Sequence, residues 1–109
     1  MYYIFIINTN KNGGIMSVAR ITTVNFKIKE NADAMVENYV ANAPSEFPEA
    51  EQLLQVRTSD TTVVAISLYA NNEAMERASA ARNKRLGSNE DQFESVDMKI
   101  GEVKLNHKK

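Results

Sequence analysis

The stretch Asp60–Ala78, DTTVVAISLYANNEAMERA, decides the fold. Its first half gathers Thr62, Val63, Val64, Ile66 and Leu68 and closes on Tyr69, a run apolar on both faces, as expected of a central strand covered on both sides. A polar turn follows. Asn72 offers an N-cap, and Ala74, Met75, Ala78, Ala81, Arg82 and Leu86 then recur at helical spacing as far as Gly87, which suits a helix C-terminus. The inward stripe of this helix is small, so the helix approaches a sheet closely or leaves room for another molecule.

Working back from this stretch, Ser59 and Asp60 supply turn chemistry, and Gln52–Thr58, with Leu54 and Val56, reads as the preceding strand of a hairpin. The segment APSEFPEAE (43–51) holds both prolines and reads as a loop. Before it, Asn31 offers an N-cap, and Ala32, Met35, Val36, Tyr39 and Val40 make a helical stripe that Pro44 should stop. Ser17–Lys29, SVARITTVNFKIK, alternates Val24, Phe26 and Ile28 with polar residues and reads as the first strand. Working forward, SNEDQFES (88–95) is a polar loop. Val96–Leu105 alternates as a fourth strand, with a bulge or break expected at Gly101 and a frayed NHKK tail.

The order is therefore βαββαβ, which predicts an α+β, ferredoxin-like domain: a four-stranded antiparallel sheet with two helices on one face. Two helices leave the other face uncovered. Such an apolar patch usually marks an interface, so pairing into a homodimer is expected.

Composition narrows the functions. The chain has 109 residues, 43% hydrophobic and 25% charged, which suits one folded domain over residues 16–109. A net charge of -1 gives no field to draw in nucleic acid or an anionic membrane. With no cysteine and a single histidine, His107, thiolate chemistry and histidine-rich metal sites are excluded, and a cytoplasmic setting fits. No phosphate loop or Ser-His-Asp pattern appears, so no cofactor is expected. Tyr2–Ile7 is apolar but too short to span a bilayer and lacks a basic lead, so it does not read as a signal peptide. Residues 1–15 read as an N-terminal extension, disordered or the product of an upstream start, because the patterned chain opens at Met16.

Tyr69, Asn71, Asn72, Glu73 and Ala74 resemble the third strand and second helix of the dimeric α+β barrel superfamily, in particular its antibiotic-biosynthesis-monooxygenase-like families. The resemblance implies a dimer whose two sheets close into one barrel, with pockets between sheet and helices. It also implies oxidation of small, electron-rich aromatic molecules without metal or flavin. Its usual functional positions are a first-strand Asn, an aromatic at the end of strand three and a polar or basic residue on helix two. Tyr69 fills the aromatic place; Arg82, within the apolar stripe of helix two, could neutralise an anionic intermediate. Asn25 is the only first-strand Asn, but Val24 stands nearer the matching position and neighbours on a strand face opposite ways. The axial histidine of haem-degrading relatives is missing from helix two, where Ser79 stands nearest the position.

Candidate catalytic residues are thus Tyr69, Asn25 and Arg82, and candidate ligand contacts are Arg57, Ser67 and Ser79. Each has a plain structural alternative: a packed core tyrosine, an exposed strand asparagine, salt-bridged or snorkelling arginines. Arg20, like Arg57, is a strand arginine that would line the barrel or pair across the dimer. Three functions compete for this scaffold: a cofactor-independent oxygenase acting on a small hydrophobic or aromatic ligand, a non-catalytic small-ligand or regulatory module, and a structural dimer.

Overall fold

A computed structural model describes residues 17–109, so the expectation for residues 1–15 lies outside the described residues. The elements are β1 (Val18–Phe26), α1 (Lys29–Glu46), β2 (Ala50–Arg57), β3 (Thr62–Tyr69), α2 (Asn72–Ser88) and β4 (Phe93–Glu102), with one 3-10 turn at Glu90–Gln92. The four strands form one antiparallel sheet in the order β2-β3-β1-β4. This is the expected βαββαβ ferredoxin-like arrangement. No helix among the described residues is long and apolar enough to cross a membrane.

Several boundaries differ from the sequence reading. Helix α1 begins at Lys29, before Asn31, and no side chain caps it. Lys29 instead pairs with Asp33 one turn on, at 3.0 Å. Pro44 lies inside α1, which runs on to Glu46. A proline so near the end removes one late hydrogen bond, and the Phe47 N–H closes the helix on the Ala43 carbonyl at 2.9 Å. In α2 the cap is Asn71, not Asn72: its Oδ1 accepts from the Ala74 N–H at 2.9 Å. Gly87 is helical, and Asn89 terminates the helix with its amide donating to the Arg85 carbonyl at 2.8 Å. Gly101 pairs with Ala19 in unbroken register, so the expected bulge is not there. The irregularity falls where Asn25 pairs Ser95 but Phe26 pairs Phe93, and Phe26 and Phe93 meet edge to face with centroids 5.3 Å apart.

Alternation along β1 sorts the sheet into two faces. Val18, Arg20, Thr22, Val24 and Phe26 are buried towards the helices; Ala19, Ile21, Thr23 and Asn25 look the other way. Register carries this division to β3, where Val63, Ala65, Ser67 and Tyr69 share the helix side. The core is accordingly two clusters. One joins Val18, Phe47, Tyr69, Ala74, Met75 and Ala78; the other joins Val24, Phe26, Ala32, Met35 and Val63. Between them along β1 stand two buried polar residues, Arg20 and Thr22.

On the opposite face Leu54, Val56, Val64, Ile66 and Ile21 form an apolar surface, and Leu54, Val56 and Ile21 are exposed. The helices also stop short of β4, because Val96, Met98 and Ile100 share the register of the helix side yet remain exposed.

Candidate functional site

The gap between the two core clusters is a cavity of about 60 Å³. Its sheet wall is Arg20, Thr22, Ala65 and Ser67, with Tyr69 at one end; Val24, Phe26, Met35, Val63 and Leu86 line the other. Helix α2 runs alongside β1, so Met75 and Ser79 meet Arg20, Arg82 reaches Thr22, and Leu86 packs against the Phe26 cluster. Small residues at Ala65 and Ser67 leave the space open on the sheet side.

Arg20 is 4% exposed. One terminal nitrogen donates to the Met75 carbonyl at 3.0 Å and to the Ser79 hydroxyl at 3.4 Å. Its guanidinium lies 5.8 Å from the centroid of the Tyr69 ring. Its Nε is buried and has no hydrogen-bond partner. Arg82 is half-buried and donates to the Thr22 hydroxyl at 3.4 Å. Burial first, then repulsion from Arg20, lowers the Arg82 pKa from its ordinary value. It stays protonated at neutral pH, since a guanidinium starts so high.

The chain has five arginines. Arg57 pairs with Asp33, Arg77 with Glu49 and Arg85 with Glu46. Arg20 and Arg82 have no carboxylate partner among the described residues. The two arginines without a counter-charge therefore stand together on the cavity wall. Arg85 also lines the cavity, but Glu46 and Asn38 hold it and the Tyr39 ring lies against it at 5.2 Å. Burial raises the Tyr39 pKa.

Of the sequence candidates, the fold gathers Tyr69, Arg82 and Ser67 around one space, and Ser79 stands beside it, bonded to Arg20. Tyr69, 1% exposed, is more deeply buried than a hydroxyl reaching solvent would be. Asn25 is not with them. It faces away from the helices, bonded to Ser95 at 2.9 Å and to Thr62 at 2.8 Å, while its neighbour Val24 faces the cavity. Arg57 is also elsewhere, locking the β2–β3 turn through the Ser59 and Asp60 carbonyls and tying it to α1 through Asp33. Sequence reasoning missed Thr22, Gln55 and Tyr39 as lining residues and undervalued Arg20. The signal was present: the alternation of Val24 and Phe26, carried back two places at a time, puts Thr22 and Arg20 on the inward face. Among the described residues no three His, Asp or Glu side chains converge as metal ligands.

No family model and no curated protein matches the chain. Solved structures do. A dimeric ferredoxin-like protein from an uncultured marine organism superposes with a TM-score of 0.69 at 6% identity, over 86% of this chain and 93% of that one. An antibiotic-biosynthesis-monooxygenase-like protein from Chloroflexus aurantiacus gives 0.68 at 7% identity, over 84% and 97%. A mutant of SnoaB, a cofactor-independent oxygenase from Streptomyces nogalater, gives 0.62 at 18% identity, over 83% and 95%. The chain has the ferredoxin-like fold of these structures. At such identities the likeness is one of backbone architecture.

Proposed function

We propose that the protein is a cofactor-independent, monooxygenase-like enzyme that takes a small aromatic molecule into the cavity between sheet and helices and works as a homodimer. The observation that carries this reading is the convergence of Tyr69 and Arg82 on one cavity, with Arg20 beside them. The lining holds no Asp, Glu, His or Lys, and so no side chain able to act as a base at neutral pH. The substrate then gives its proton to water, and the guanidiniums of Arg20 and Arg82 favour that by stabilising its anion. Such an electron-rich anion supplies the electrons for dioxygen. One oxygen atom enters a ring carbon as a carbonyl, giving a quinone; the other leaves as water with the hydrogen of that carbon and the proton of the ring hydroxyl. Tyr69 would orient the substrate oxygen.

Oxygen consumption with a panel of single-ring quinols and polyphenols tests this. Turnover that Tyr69→Phe lowers at least tenfold is expected, and equal rates for the two proteins would remove the residue at the centre of the reading.

One observation favours the second reading, a binding module without chemistry: the cavity of about 60 Å³ is small beside the roughly 300 to 1,000 Å³ of ordinary ligand pockets. Thermal-shift stabilisation by a ligand that is never consumed would decide for it.

A further inference from the structure

We propose that Arg20 and Arg82 form a built recognition site for a planar oxyanion carried on a small apolar body, a carboxylate or phenolate on a single ring. The proposal rests on the reading of the cavity as a ligand site and names the chemical class that it selects. The polar and apolar ends of the cavity set the direction. Arg20, Thr22, Ser67 and Arg82 cluster at one end, and Val24, Phe26, Met35, Val63 and Leu86 at the other.

Three features separate this from an ordinary buried arginine. The Arg20 Nε is without a partner although fully buried, and nearly all such groups in native proteins are satisfied. Met75 and Ser79 occupy one of its terminal nitrogens and leave the fork of donors incompletely used, in the geometry that carboxylates take up in pairs. The chain supplies a carboxylate to each of its other three arginines but none to Arg20 or Arg82, so among the described residues the place of a counter-charge is open to a ligand. Tyr69, with its ring near Arg20, forms the end wall against which a flat head group would lie.

The test uses the full chain with benzoate, para-nitrophenolate and the neutral isostere benzamide, followed by thermal shift and by the side-chain Nε–H resonances of arginine. Either anion should bind at least tenfold more tightly than benzamide and move the Arg20 and Arg82 resonances. Arg20→Met and Arg82→Met should each weaken anion binding about tenfold or more, while Arg77→Met, on the outer surface, should not. If Arg20→Met fails to fold, the half-buried Arg82→Met carries the comparison. Which anion binds better assigns the head group. Benzamide binding as tightly as benzoate overturns the anion site and leaves the cavity reading standing. No shift of either arginine by millimolar anion overturns the anion site too, and whether the cavity reading falls with it is decided by whether benzamide stabilises the protein.

Discussion

Taking a guanidinium out of water without a carboxylate beside it is unfavourable by several kcal/mol, and Arg20 is held that way by one backbone carbonyl, one serine hydroxyl and one aromatic ring. A residue kept there for folding alone would be replaced with profit by an apolar one of similar size. Arg20→Met should therefore leave stability unchanged or raise it by about 1–2 kcal/mol in urea unfolding while abolishing ligand response. A loss of more than about 2 kcal/mol would mean that the bond to the Met75 carbonyl is structural and that the charge serves the fold. Tyr39 gives a second check on the same wall. Burial raises its pKa, so the folded state holds the phenolic proton more tightly than the unfolded chain does. That contribution is complete below the ordinary tyrosine value of about 10 and is lost as pH rises through the raised one. Stability should fall with rising alkalinity in that window, and Tyr39→Phe should flatten the slope.

The elements were legible in the sequence to different degrees, for physical reasons. Strand β3 and helix α2 were plain because period-two and helical patterns meet at one polar turn, with the N-cap displaced from Asn72 to Asn71 and the C-terminal end from Gly87 to Asn89. Asn71→Ala should lower stability by about 1 kcal/mol in chemical denaturation. The end of α1 was misread because a proline two residues from a helix end removes little, whereas a proline in mid-helix breaks it. That end is secured by tertiary contacts which a linear pattern does not show: Glu46 accepts two bonds from Arg85, at 3.0 and 2.7 Å, which joins α1 to α2. Glu46→Ala should cost about 1–2 kcal/mol, less than a fully buried pair because the Glu46 carboxylate is partly in water. The same limit hid the candidate site. Tyr69 and Arg82 could be named one by one, but that Arg20 lacks a carboxylate depends on where every acidic side chain ends up.

At the scale of the whole molecule, one layer of helices serves a sheet that has two apolar faces. Ile66 lies near the middle of the face opposite the helices, paired with Ile21 on β1 and Leu54 on β2, and the described elements place nothing over Leu54, Val56 or Ile21. Leaving this surface wet would forgo roughly 25 cal/mol for each Å² of apolar area, which a second copy of the chain would recover by laying its own sheet against it. In a two-fold pair the same patch meets itself, so a charge placed at its centre is brought close to its own copy. Ile66→Lys therefore combines a lost contact with like-charge repulsion at a dry interface. Light scattering at micromolar concentration should give the mass of a dimer for the parent protein and of a monomer for Ile66→Lys. Val40→Lys, on the exposed side of α1, should remain dimeric. A parent protein that is already monomeric, or an Ile66→Lys variant that keeps the dimer mass, would mean that this face is not where two copies meet.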